Sequence, residues 1–329
     1  MLLLALLLAA PAPLDDTEKL YGDWVVACDN LHGCEMTSLW PGDDAMPEEG
    51  SGYDASMSLV RDAGPAGAFT VEVWAPRKLT GKVTLKIDDA PIAIATASDE
   101  GVTFKGADAA RIAAVMPNGK QLALVDSTGV AARVSLAGSS ASLRHIDADQ
   151  GRAGTVTAIV ARGAKPASAV PAAPAPEKVA ALRPSGMPAT VSKAMRATLE
   201  KQSDCDGLYE GVETVPDVDT FALGGGKTLA LLPCGAGAYN YSTVAFILAG
   251  GKAMRASFDD GSDGMLVNAS FDKGELATYG KGRGVGDCGE SATYVWDGKR
   301  FRLTLARSMS ECRGSTNWLA TFRATAVWR

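Results

Sequence analysis

Six cysteines fall along this chain as three close couples: Cys28 with Cys34, Cys205 with Cys234, and Cys288 with Cys312. Spacing alone does not select among the pairings of six sulfurs. An even count in neighbouring couples nevertheless favours disulfides, and therefore an oxidising compartment. The first couple constrains the fold most. In "GDWVVACDNLHGCEM", Gly22 to Met36, the residues Trp24, Val26 and Cys28 alternate with Val25 and Ala27, and the alternation resumes at Cys34 and Met36. That period marks two half-buried strands. If Cys28 faces Cys34, then Val26 faces Met36, and Asp29 to Gly33 is the connection, with Asn30 and Gly33 supplying positive φ. Opposed cysteines in a non-hydrogen-bonded antiparallel pair lie close enough to bond. Zinc would want further ligands, yet the chain has only two histidines, His32 and His145. A thioredoxin-like pair would want two intervening residues at a helix N-terminus. The couple is expected to be a structural staple.

Composition narrows the class. The chain has 329 residues, 47% of them hydrophobic, enough for two domains with cores of their own. A net charge of −6 argues against nucleic acid, and the scattered Lys and Arg offer no run suited to an anionic membrane. The apolar block Leu2 to Ala10 is shorter than the roughly twenty residues that span a bilayer. Followed by Ala10-Pro11-Ala12, it reads as a secretory signal over residues 1–13. No later apolar run is long enough to cross a membrane, so the mature chain is expected to lack a transmembrane segment and to be periplasmic or secreted.

The expected fold is mainly β: two sandwich-like β-sheet domains with few short helices. Residues 163–188, rich in Ala and Pro, read as an extended linker between an N-terminal domain over 20–162 and a C-terminal domain over 189–329. In the first domain "FTVEVW" and "KVTLKID" alternate as strands, Asn118-Gly119 signals a hairpin, and "GTVTAIVA" reads as a closing strand. A helix is expected in "SLAGSSASLRHIDADQGR", capped by Ser139 or Ser140, with Leu143 and Ile146 inward and Gly151 at its end. In the second domain Val191, Met195 and Leu199 define a short amphipathic helix that ends at Cys205, from where a bond can reach the strand ending at Cys234. "STVAFILAG", "GMLVNASFD" and "GELATYGKG" read as strands. "SATYVWDGKRFRLTL" reads as a hairpin turning at Asp297-Gly298, which places Tyr294 opposite Phe301 and Ala292 opposite Leu303. Cys288 and Cys312 bracket it, so their bond would close its base.

Motifs that would carry chemistry fall short. "LGGGKTLALLPC" has Phe221 where a phosphate loop needs glycine, and a strand follows rather than a helix, so a glycine turn is expected. Around Asp259, Asp260 and Asp263 a calcium loop would want ligands where Gly261 and Ser270 stand, which leaves an acidic surface turn. His145 and Asp147 could belong to a hydrolase triad, but no G-x-S-x-G accompanies them, and an exposed helical histidine is expected; His32 reads as an exposed turn residue. No catalytic, cofactor-binding or metal-ligating residue is assigned, and no cofactor is expected. The one candidate binding surface combines "YGKGRGVGDCGE" with "GAYNYS": glycines let backbone approach a ligand, while Tyr239, Asn240, Tyr279, Arg283 and Asp287 supply aromatic and polar contacts.

Three stretches carry a family likeness. "YGDWVVACDN" followed by Cys34, "SLAGSSASLRHIDADQGRAGTVTAIVARG", and "GDCGESATYVWDGKRFRLT" followed by Cys312 resemble a family of exported Gram-negative bacterial proteins classed as a domain of unknown function. The resemblance spans nearly the whole chain apart from its start and the Ala/Pro-rich stretch. Through "YGDWVVAC" the N-terminal half is also similar to the invasion-associated locus B proteins, small exported bacterial proteins linked to host-cell entry. Both likenesses imply export and disulfides, and neither supplies a catalytic residue. The expected role is a non-enzymatic binding or structural one in the cell envelope, with an envelope protein or polysaccharide as partner. A periplasmic hydrolase working through C-terminal carboxylates and a secreted host-contact factor are the alternatives.

Overall fold

The computed structural model describes residues 17–42, 55–98, 101–205 and 216–329; the expected signal segment 1–13 lies outside them. In chain order the first half forms β1 (Glu18–Tyr21), β2 (Trp24–Cys28), β3 (Cys34–Ser38), β4 (Ser56–Arg61), β5 (Phe69–Trp74), β6 (Lys82–Ile87), β7 (Ala90–Thr96) and β8 (Val102–Lys105). Helix α1 (Gly106–Val115), β9 (Gln121–Asp126), β10 (Gly129–Ser135) and α2 (Ser139–Asp149) follow. The second half forms β11 (Glu177–Ala181), α3 (Lys193–Gln202), β12 (Asp219–Gly224), β13 (Lys227–Ala236), β14 (Tyr241–Ala249) and β15 (Lys252–Arg255). It continues with β16 (Met265–Val267), β17 (Ser270–Asp272), β18 (Glu275–Lys281), β19 (Gly289–Trp296), β20 (Phe301–Met309) and β21 (Leu319–Trp328). The protein is mainly β, built from antiparallel sheets with few short helices.

The staple hairpin forms in the register its alternation requires. Cys28 faces Cys34, Val26 faces Met36, and Asp29 N donates to Gly33 O just beyond the couple. The cysteines therefore occupy a non-hydrogen-bonded pair, 4.0 Å apart at Cα and joined as a disulfide. One detail differs: His32, at φ 58°, makes the left-handed step rather than Asn30 or Gly33. The Asp29 carboxylate fixes this loop by accepting from Leu31 N and Gly33 N.

Alternation along the strands decides the layers. In the first half the sheet β1-β2-β3-β4-β5-β8 packs on the sheet β10-β9-β6-β7. Met36, Leu59 and Val71 of one meet Val83, Leu85 and Leu124 of the other in a shared core, and α1 and α2 close its ends with Ile112 and Ile146. In the second half the sheet β11-β21-β20-β19-β18-β17 packs on the sheet built from β12 to β16. Trp296, Phe301 and Leu303 face Leu229, Leu231 and Ile247. The other face of that sheet is also covered, because Leu199 of α3 meets Leu232, Val244 and Phe246. This two-sided burial explains why β13 and β14 carry continuous apolar runs. Ser192 caps α3 by accepting from Met195 N, and Cys205 just past its end bonds Cys234.

Several local expectations are corrected. Asn118-Gly119 makes no hairpin: a single 3₁₀ turn, Met116–Asn118, closes α1, which the alanine-rich sequence concealed, and Gly119 leaves it extended. "GTVTAIVA" is no strand, for a reason given below. The hairpin between β19 and β20 pairs Trp296 with Phe301 and Tyr294 with Leu303, not Tyr294 with Phe301. Asp297 accepts from Lys299 N and Arg300 N, and its own N–H donates to Arg300 O, so the connection runs from Asp297 to Arg300 and the register moves. α2 starts after Gly138 with no side-chain cap, although Leu143 and Ile146 point inward as expected. Within 163–188, β11 adds in parallel to the edge strand β21 and buries Val179 and Ala181.

Candidate functional site

The loop between β18 and β19 lies where the two halves meet, and the five residues of the candidate surface all belong to its frame. Asn240 holds one flank: its Nδ2 donates to Lys281 O (2.8 Å), while its Oδ1 accepts from Lys281 N (3.0 Å) and Asn268 Nδ2 (3.1 Å). Tyr239 lies over the loop and its hydroxyl donates to Gly282 O (3.0 Å). The Tyr279 ring stacks on Trp318 with centroids 4.4 Å apart and planes 8° from parallel, and the Trp318 Nε1–H donates to Gly286 O (3.2 Å). On the other flank Asp287 is buried, accepting from Arg283 Nε and from Gly314 N, each at 2.7 Å. Burial by itself would raise its pKa, but the bonds from Arg283 and Gly314 outweigh that and hold the carboxyl below its ordinary value. Cys288, next in the chain, is tied to Cys312.

Chemically these residues divide into two groups. Asn240 and Asp287 satisfy backbone groups and fix the loop. Tyr239, Tyr279 and Val285 leave large apolar surface in solvent, beside the Lys281 and Arg283 cations. Asn240 and Asp287 brace the same loop from opposite flanks. Sequence reasoning missed Trp40, Gly314 and Trp318. Arg283 extends over the Trp40 ring, its guanidinium carbon 5.9 Å from the centroid. Trp40 in turn rests on Gly314, whose φ is 85° and where any Cβ would overlap the indole. No local pattern signals these contacts, because they join positions at opposite ends of the chain.

The same junction is held by an array of polar bonds. Arg313 donates to Asp23 Oδ1 (2.7 Å), Gly22 O (3.1 Å) and Trp40 O (2.6 Å). Asn317 Nδ2 donates to Glu35 Oε1 (2.7 Å), and Arg323 Nε donates to Asp29 Oδ2 (2.8 Å). Between them Val25, Ala27 and Leu39 pack against Met309, Trp318 and Leu319.

Residues considered for catalysis are engaged elsewhere. His145 is half-buried rather than exposed, with Nδ1 3.3 Å from the Tyr21 hydroxyl; burial pushes its pKa down. Asp147 lies apart from it in function, fully buried and ion-paired with Arg61 (3.1 Å) while accepting from Ile159 N, Val160 N and Ala161 N. "GTVTAIVA" is drawn into a loop around this carboxylate, which is why it joins no sheet. Asp259 pairs with Arg302, Asp260 accepts from the Tyr294 hydroxyl (2.7 Å), and Asp263 accepts from Met265 N (2.9 Å), so the acidic turn is internally satisfied. The glycine-rich stretch before Lys227 is the turn between β12 and β13, with Gly225 and Gly226 at φ 60° and 72°. His32, exposed as expected, contacts Asp149 at 2.8 Å. Asp149 also lies near Cys28 and Cys34, but sulfurs joined as a disulfide offer no thiolate to a metal.

Comparison with known proteins places the chain beside three matches. Over 351 aligned residues the chain is 29% identical to the uncharacterized protein YpfG of Escherichia coli (strain K12), with 98% of this chain and 94% of the relative covered. A crystal structure of invasion associated protein b from Bartonella henselae aligns with 41% of this chain and 98% of its own, at 18% identity and a TM-score of 0.30. A family model described as protein of unknown function, DUF1176, matches residues 18–325, and the chain belongs to that family.

Proposed function

We propose that this protein is exported to the cell envelope and serves there as a non-enzymatic binding or structural module, with residues 20–162 and 189–329 as its domains. The observation that carries this reading is the contrast between its carboxylates and its aromatics. Asp147, Asp259, Asp260 and Asp287 are committed to guanidinium groups, a hydroxyl or backbone amides. A general acid or base needs a group free to exchange a proton with substrate. Val285 on the loop braced by the Cys288–Cys312 disulfide, and Tyr239 and Tyr279 beside it, by contrast stand exposed, as a contact surface requires. The partner class is an envelope protein or polysaccharide. Three disulfides with no free cysteine support an oxidising compartment, and no helix among the described residues is long and apolar enough to cross a membrane.

The test is mass spectrometry of the protein from periplasmic and cytoplasmic fractions after thiol alkylation without reductant. A trimmed N-terminus in the periplasm with all six cysteines unreactive is expected. Free thiols on an untrimmed cytoplasmic chain would remove the export reading, and substrate turnover by the purified protein would remove the non-enzymatic one.

A further inference from the structure

The sheet β1-β2-β3-β4-β5-β8 shows two different outer faces. Its inner face is largely apolar, with Met57, Leu59, Val71, Val73, Val102 and Phe104 in the core and the buried Arg61 at its margin. On the outer face a single row runs Val25, Thr37, Ser58, Glu72, Thr103 by strand register. Val25 is covered by the second half of the chain, and Thr37 bonds the Ser315 hydroxyl at 2.8 Å. Beyond Thr37 the row stays polar: Ser58 is still buried, and Glu72 and Thr103 are exposed among the described residues. In the next row Ser56 faces Trp74, whose side chain is 49% exposed. A groove of about 490 Å³ opens there, between this polar face and the segment 314–317, with Trp40 and Trp74 both in its walls.

The lining selects its ligand by chemistry. Hydroxyls come from Ser56, Ser58 and Thr103, an amide from Asn317, and one carboxylate from Glu72. Asn317 is oriented by its bond to Glu35, while Glu72 has no ion-pair partner among the described residues. Among the described residues no Lys or Arg lines the groove, so they offer a polyanion no counter-charge. β4 and β5 are interior strands, paired on both sides, so the part of the face that carries Ser58, Glu72 and Trp74 has no free backbone for a peptide to pair with, and the sheet's open edge lies beyond it at β8. An exposed indole beside several hydroxyls and the Glu72 carboxylate suits a ring with an apolar C–H face and a rim of hydroxyl groups.

We propose that this groove binds a neutral oligosaccharide, one pyranose ring stacked on Trp74 with its hydroxyls bonded to Glu72 and Ser58. The site is separate from the Tyr239 and Tyr279 surface and stands or falls independently of it.

The test is calorimetric titration of the oxidised full chain with two soluble probes, an N-acetylglucosamine tetramer and a maltotetraose. Saturable binding of at least one, at about 1 mM or tighter, is expected. Trp74→Ala should weaken it at least about tenfold and Glu72→Gln about threefold, as removal of a central aromatic and of a peripheral polar contact would. Both side chains are exposed on a paired strand, so circular dichroism should be unchanged; if Trp74→Ala misfolds, Trp74→Leu supplies the same comparison. Tyr279→Ala should bind as the unmodified protein does. Absence of saturation with both sugars, or binding that survives loss of Trp74, would overturn the proposal. So would binding lost in Tyr279→Ala and kept in Trp74→Ala.

Discussion

Removing the Asp147 carboxylate tests how the first half holds its last loop. The group is fully buried, and it is the acceptor for Ile159 N (2.9 Å), Val160 N (2.8 Å) and Ala161 N (3.1 Å) as well as the ion-pair partner of Arg61. Arg61 is itself only 3% exposed in its side chain and lies near a second buried guanidinium, Arg152. Burial, and then repulsion from Arg152, lower the Arg61 pKa to about 10. Asp147→Ala therefore leaves two buried cations without their shared anion and three amides without an acceptor. Breaking a buried pair costs about 3–5 kcal/mol. Each buried amide left unsatisfied costs about 1–3 kcal/mol where water does not reach it. A loss of at least about 4 kcal/mol follows, a large fraction of the roughly 5–15 kcal/mol that stabilises a domain. Asp147→Asn keeps one carbonyl oxygen for the amides but turns an N–H₂ toward donors, so it should cost less than alanine and more than about 1 kcal/mol. Urea unfolding of the oxidised protein measures both losses, and hydrogen exchange of peptides covering 159–161 locates them. A loss below about 1 kcal/mol for alanine, with those amides still protected, would refute the assignment of this carboxylate as the loop's anchor.

Other consequences are equally direct. The chain-entropy relation gives about 2 kcal/mol for the Cys28–Cys34 bond, with its separation of 6, and about 3.5 kcal/mol for each of the bonds with separations of 29 and 24. Paired Cys→Ala variants compared by urea unfolding should rank in that order, and a larger loss at Cys28–Cys34 would count against it. Gly314→Ala places a methyl on the Trp40 indole and forces a side chain onto φ 85°, so it should cost about 1–3 kcal/mol and increase exchange around residue 40, read by hydrogen exchange. His145 has a folded pKa below its ordinary 6.5 because it is buried, with Lys19 adding repulsion and Asp149 opposing. The unfolded chain thus takes up the proton more readily, and stability should fall as pH drops below 6.5; His145→Gln should flatten that part of the profile measured by thermal unfolding. Asp287 has a depressed folded pKa, so its contribution is present above the ordinary 3.8 and is lost as pH falls below it; Asp287→Asn should remove that acid-side slope.

Local pattern by itself determined the staple and the strand content. The alternation of Trp24, Val26 and Cys28 against Val25 and Ala27 dictated both the Cys28–Cys34 couple and its register, because a period of two leaves one arrangement that buries both strands on the same side. The Val191, Met195, Leu199 spacing likewise dictated α3, although Val191 falls just before its first residue, and the paired glycines before Lys227 dictated a turn. Tertiary structure decided what sequence period could not encode. α1 is largely alanine, with too little contrast between faces to read, and becomes a helix through the packing of Ile112 and Ala113 on the core. Residues 159–161 have strand-forming side chains, yet one buried carboxylate outbids a sheet for their amides. β11 forms within an Ala/Pro-rich stretch because the β21 edge offers unpaired backbone. The Tyr239 to Asp287 cluster was legible in composition as glycines, tyrosines and charge, but its geometry rests on Trp40, Gly314 and Trp318. The groove beside Trp74 was not legible at all. A polar outer face looks the same in sequence whether it meets open water or the wall of a second domain, and only the folded chain brings residues 40, 74 and 317 to one place.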